Sequence, residues 1–157
     1  MIGECRCVRH PARGTSGFVG RTKDMALRWY STVIDCHDVA AQGRWWAEIL
    51  RWQVVYQSDD EFVIVPAHVN QETVRTTPWE QIGPGLVFVP VREGKTVKNR
   101  LHLDLAPHTS DDRDAEIARL VERGAKRADV GQTSDVTWAE LIDPEGNEFC
   151  VLSSRDQ

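Results

Sequence analysis

Long hydrophobic runs are missing from this chain of 157 residues. Its longest apolar stretches, such as Phe62 to Val65 and Leu86 to Val91, are strand-sized and far short of the ~20 residues that cross a bilayer. No membrane partner is expected. Cysteine is scarce too: the four present, Cys5, Cys7, Cys36 and Cys150, include no C-x-x-C pair and follow no secretory signal. That pattern argues against a disulfide framework and reads as reduced thiols in a cytoplasmic protein. Cys5, Cys7 and His10 lack a second ligand pair at zinc-site spacing. Positive charge is not in surplus, with 19 Lys and Arg against 24 Asp and Glu and a net charge of −5. No basic stripe interleaved with aromatics is present, so nucleic acid is not an expected partner.

What is there fits a globular chain, with 41% hydrophobic and 27% charged residues. The length suits one compact domain, or two small modules sharing a core, with one binding site. Residues 1–24 carry Arg6, Arg9, Arg13 and Arg21 without helical or strand periodicity and read as a poorly ordered extension. Gly14, Gly17 and Gly20 would break the amphipathic helix of a transit peptide, and a start upstream of Met25 is the simpler account. The ordered domain is expected over 25–157.

It opens with a β-branched and aromatic strand, Arg28 to Cys36, and meets the helix cap Asp38. From Val39 to Leu50, Trp45, Trp46, Ile49 and Leu50 recur at helical spacing, so the tryptophans read as core. Trp52 to Tyr56 and Glu61 to Pro66 form a hairpin about Ser58-Asp59-Asp60. An irregular stretch follows, whose residues Val69 to Pro84 are long enough to form a lid, and then the strand Leu86 to Val91. Arg92 to Asn99 is an exposed connection. The order then repeats: a strand from Arg100 to Ala106, a helix from about Asp112 to Arg123 capped by Ser110 or Asp111, and a glycine stop at Gly124. Ile117, Leu120 and Val121 make the buried stripe of that helix. Short strands at Lys126 to Val130, Val136 to Ile142 and Glu148 to Ser153 complete the set, the last two joined by the turn Asp143 to Asn147. Two βαβββ units, at about 27–91 and 99–154, are therefore expected to share the sheet faces that neither could bury alone.

Asn99-Arg100-Leu101-His102-Leu103-Asp104-Leu105 and Asp143-Pro144-Glu145-Gly146-Asn147-Glu148-Phe149-Cys150-Val151-Leu152 resemble the two signatures of glyoxalase-like domains of the vicinal oxygen chelate superfamily. The similarity extends over roughly Leu27 to Ser154. It implies an α+β fold of two βαβββ modules forming a cup-shaped pair of curved sheets, often with a divalent metal on the wall. In metal-binding members, four ligands come from the first and last strands of the two modules. By this resemblance His102 matches a metal ligand position directly, while Ser31 falls at the module-one position, where serine is a poor ligand. Cys150 occupies the usual carboxylate position, with Glu148 two residues earlier on the same face, and Leu86 to Val91 offers no polar ligand. The ligand set is incomplete.

The residues themselves give a consistent reading. His102 and Asp104 share one face of a strand, as do Glu148 and Cys150 on another. If that face is interior, His102 becomes a base oriented by Asp104, the catalytic pair, with Glu140, Glu148, Cys150 and Ser31 as candidate ligand-binding residues. A satisfied core histidine is the competing account. The expected function is small-molecule binding, with metal-dependent lyase, isomerase or oxygenase chemistry in the cup. The alternative is a non-catalytic, ligand-sequestering protein like the antibiotic-binding members of the superfamily. Related folds pair through sheet edges or helix faces, so a homodimer is compatible with the resemblance.

Overall fold

A computed structural model describes residues 27–128 and 136–156 of the protein. The expected extension over 1–24, with Cys5, Cys7 and His10, lies outside the described residues. Strand β1, Ser31–Cys36, leads into helix α1, Val39–Leu50. Asp38 caps α1 by accepting a hydrogen bond from the Ala41 amide at 2.8 Å, as its short acidic side chain favours. Arg51 closes the helix in the left-handed region, φ 55°, turning the chain into β2, Gln53–Gln57. Next come β3, Phe62–Val65, helix α2, Gln71–Thr76, and β4, Gly85–Pro90. The second module runs β5, Leu103–Leu105, α3, Arg113–Glu122, β6, Lys126–Arg127, β7, Ala139–Ile142, and β8, Glu148–Val151.

Each module makes one four-stranded sheet, in the orders β1-β4-β3-β2 and β5-β8-β7-β6. In both, the first strand lies parallel to the last, Ser31 opposite Gly85 and Leu103 opposite Phe149, while the other pairings are antiparallel. A parallel pair needs a crossover, which α1 and α3 supply. The expected pair of βαβββ modules is thus present.

Several local expectations need correction. The stretch expected to be irregular contains α2, capped by Asn70, and a single 3-10 turn at Trp79–Gln81. The cap of α3 is Asp112, which accepts from the Asp114 and Ala115 amides, and not Ser110 or Asp111; the Ser110 hydroxyl lies 2.8 Å from Nδ1 of His108 instead. Val121 is exposed, leaving Ile117 and Leu120 as the buried stripe. Strand β5 is shorter than Arg100 to Ala106, because the residues before Leu103 belong to a connection whose Asn99 amide donates to Glu148. Of the expected strand at Lys126 to Val130, the last two residues lie outside the described residues.

One core joins the modules. On the helix side, Phe62, Ile64, Leu86 and Phe88 of the first sheet and Leu141, Phe149 and Val151 of the second are buried in a single cluster with Trp46, Ile117 and Leu120. Trp46 meets Phe149 edge-on at 5.3 Å between ring centroids, and Trp45 does so at 6.0 Å. The α1 tryptophans are core, as their spacing predicts, but they pack on the second module's sheet. Gly43 keeps α1 close to the first sheet, because a β-carbon there would run into the Phe62 ring.

Asp143, 2% exposed, fastens the two halves. Its Oδ2 accepts from the Gln42 amide, the Trp46 indole at 3.1 Å and the Asn147 side chain, and its Oδ1 from the Glu145 and Asn147 amides. A buried carboxylate satisfied by this many donors is stabilising, whereas removing it strands the donors. Asp143→Ala should lower stability by about 3 kcal/mol in urea unfolding; a loss below about 0.5 kcal/mol would show that the bracket is dispensable.

Candidate functional site

Strand alternation sends the residues not facing the helices to the outer faces of the sheets. On the second sheet the pairing aligns Asp104 with Cys150 and Cys150 with Glu140 across β5, β8 and β7. His102, just before β5, reaches Asp104 with Nε2 3.2 Å from Oδ1. The imidazole, the Asp104 carboxylate and the Cys150 thiol each place a donor atom within 4.8 Å of the other two. The convergence expected from the sequence therefore exists for these three, and it lies on an outer face: the His102 and Asp104 side chains are 46% and 51% exposed.

Cys150 is buried, and burial, reinforced by the charges of Asp104 and Glu140 and a hydrogen bond to Asp104, pushes its thiol up to about 11. Free of a metal, it is protonated at neutral pH and a poor nucleophile. A Cys150–His102 nucleophilic pair finds no support in this arrangement. Three donors from one short patch, with His102 and Asp104 open to solvent, can instead hold a metal ion and leave coordination positions free.

Glu140 and Glu148 share the face but are otherwise engaged. Lys98 Nζ lies 3.0 Å from Glu140 Oε1, and this hydrogen bond raises the lysine above its ordinary value. Glu148 holds Lys95 at 2.8 Å and the Asn99 amide at 3.0 Å. Burial works against its charge, but these bonds outweigh it, and its carboxyl sits below the ordinary glutamate range. The two glutamates thus fasten the inter-module connection across part of the sheet. Nothing in the sequence marked Lys95 or Lys98 as their partners, since the contacts span 53 and 42 residues.

Ser31 is elsewhere. It starts β1 on the first sheet and lines an open trough over that sheet's outer face, bordered on one side by Glu145 and Asn147 of the second module. His102, Asp104, Glu140 and Cys150 do not line the trough. The strand β4 contributes Gly85, Val87 and Val89 to it, in keeping with the absence of polar ligands expected there.

A glyoxalase-like domain family profile matches residues 31–152. No match was found among curated proteins. Among solved structures, a glyoxalase/bleomycin resistance protein/dioxygenase family enzyme from Burkholderia phytofirmans PsJN is similar with a TM-score of 0.60 and 14% identity, over 82% of this chain and 100% of that one. Oxidase ChaP-H2 gives 0.53 and 22%, over 83% and 96%. A variant of the fosfomycin resistance protein FosX from Listeria monocytogenes, in complex with Mn(II) and a dihydroxypropylphosphonic acid, gives 0.58 and 10%, over 83% and 92%.

The lowered pKa of Glu148 has a signed consequence. Its contribution to stability is fully present above the unfolded glutamate value of about 4.3 and is lost as pH falls through the lower folded value. The urea stability of the wild type should exceed that of Glu148→Gln at pH 6, with the gap closing as the pH drops below about 4. A gap that stays constant over this range would contradict the assigned ion pair.

Proposed function

The chain belongs to the glyoxalase-like domain family, and on that premise we propose that it acts on a small molecule at the outer face of its second sheet, with His102, Asp104 and Cys150 as the working groups. The convergence of these three side chains within 4.8 Å carries the reading. Their chemistry suits a divalent metal: one imidazole, one carboxylate and one thiol form a mixed set, softer than an all-oxygen cage and suited to zinc, iron or cobalt. The first sheet supplies no side-chain ligand at β4, so the set differs from the four-ligand arrangement that the resemblance implies. A metal bound there would supply Lewis acidity to a substrate oxygen.

The chain's own residues do the rest. Nε2 of His102 lies 3.2 Å from Oδ1 of Asp104, an approach that would hold the imidazole ring beside the carboxylate. Without a bound ion His102 would be a base within reach of solvent and substrate with Asp104 beside it; with the ion bound, its lone pair would go to the metal and Asp104 would share the coordination. Burial of Cys150 beside them limits water at the inner edge of the patch. These features suit lyase, isomerase or oxygenase chemistry on a substrate carrying adjacent oxygens. The fosfomycin resistance relative in complex with Mn(II) supports a divalent ion in this superfamily.

A second reading is favoured by a different observation, the separation of the trough on the first sheet from the ionisable cluster on the second. A protein that only sequesters its ligand needs the trough and not the cluster. Elemental analysis of the purified full-length chain distinguishes the two. About one divalent metal per chain is expected, with affinity reduced at least about tenfold in His102→Ala, Asp104→Asn and Cys150→Ser and the far-UV dichroism unchanged. Metal absent from the wild type after incubation with manganese, iron, cobalt and zinc salts, or retained equally by all three variants, would overturn the metal reading.

A further inference from the structure

The trough over the first sheet is built for a ligand of definite polarity. Val33, Val55, Val63, Val65, Val87 and Val89 line it, one outward-facing valine after another from four adjacent strands. Val33 and Val55 are 55% and 52% exposed, Val63, Val65 and Val89 are half-buried, and Val87 is buried. A partly exposed run of apolar side chains of this kind marks a binding face rather than an ordinary solvated one. The trough is open to solvent, measures about 2020 Å³ and has its valines spread over four adjacent strands, an extended apolar floor suited to an elongated body.

Its two ends differ in charge. The strand register puts Ser31, Gly85 and Val65 at one end, and the chain between β3 and β4 covers that end with α2 and the 3-10 turn. There Arg28 lies against Trp79 at 4.4 Å and Tyr30 at 5.1 Å from the ring centroids, with one terminal nitrogen donating to the Gly83 carbonyl at 3.3 Å. Arg75 of α2 joins the same lining. Among the described residues lining this end there is no carboxylate; the lining acids Asp35, Asp60, Glu61, Glu93 and Glu145 belong to the opposite end. The Nε of Arg28 is buried and has no hydrogen-bond partner among the described residues. A buried N–H without an acceptor is costly, and a ligand oxygen would relieve it.

We infer that this trough binds an amphipathic organic anion, its apolar chain lying along the valine floor and its anionic oxygens held at Arg28 and Arg75. The aromatic faces of Tyr30 and Trp79 hold the guanidinium in place for the head group. Acids at the far end repel the head group and so set the direction in which the ligand lies. This assignment goes beyond the small-molecule reading at the second sheet and does not depend on metal binding at His102, Asp104 and Cys150.

Calorimetric titration of the full-length chain with decanoate and with decyl phosphate tests it, with decanol and decylamine as matched controls. At least one of the two anions should bind with micromolar affinity, and which binds more tightly identifies the head group. Decanol and decylamine should bind about tenfold or more weakly, and Arg28→Met and Arg75→Met should each weaken the anion while leaving decanol unchanged. His102→Ala should bind the anion as the wild type does, which separates this result from the fate of the metal reading. Equal binding of decanoate and decanol, or full affinity in both arginine variants, would overturn the assignment. So would failure of both anions to bind; a dimer in sedimentation that Val55→Asp dissociates would then show the trough occupied by a second copy of the chain.

Discussion

The burial of Asp143 among donors from both halves of the chain is the constraint on which the other features depend. The second module is thin: its strands are 3, 2, 4 and 4 residues long and its helix has 10. Sheets this small do not bury enough apolar surface to stand alone. The module is completed by α1 of the first, whose Trp45 and Trp46 cover Phe149. Tryptophan in a core needs a partner for its indole N–H, and Asp143 provides one for Trp46 while closing the β7–β8 turn through the Glu145 and Asn147 amides. Trp45 donates to the Arg123 carbonyl at 2.8 Å, which ties the end of α3 to the same helix. Moving α1 therefore moves β8, and with it Cys150.

With their inner faces committed to one core, the two sheets are free to differ on the outside. The first presents valines, the second presents ionisable groups, although both follow the same strand order. The connection between the modules is held to the second sheet by Lys95 and Lys98, and its last residues bring His102 to Asp104. The placement of His102 thus depends on ion pairs made by Glu140 and Glu148, which act on the site through the backbone they hold. This division explains how a duplicated architecture can carry one ionisable patch and one apolar trough without either disturbing the shared interior.

Much of this organisation was legible in the residues. Helical spacing from Val39 to Leu50, the cap at Asp38 and the turn from Asp143 to Asn147 are local signals, and they placed the elements on which the fold is built. Alternation correctly put His102 with Asp104 and Glu148 with Cys150 on common faces, because strand periodicity depends only on nearest neighbours. What escaped was set by distance in the chain. The partners of Glu140 and Glu148, the capture of Arg28 by Trp79 across 51 positions and the separation of Ser31 from the ionisable cluster all arise from how the sheets are stacked. The cap of α3 was misplaced for a different reason: Ser110, Asp111 and Asp112 are all competent N-caps, and only the bonding of Ser110 to His108 decides among them.

The proposed metal site joins one imidazole, one carboxylate and one buried thiol in a single ligand set. Titration of the full-length protein with cobalt(II), followed by electronic absorption, addresses it directly because thiolate coordination has its own signature. The account predicts a thiolate-to-cobalt charge-transfer band in the near ultraviolet that saturates at one cobalt per chain and disappears in Cys150→Ser. A spectrum showing only the weak bands of hydrated cobalt, or a charge-transfer band that survives in Cys150→Ser, would contradict it.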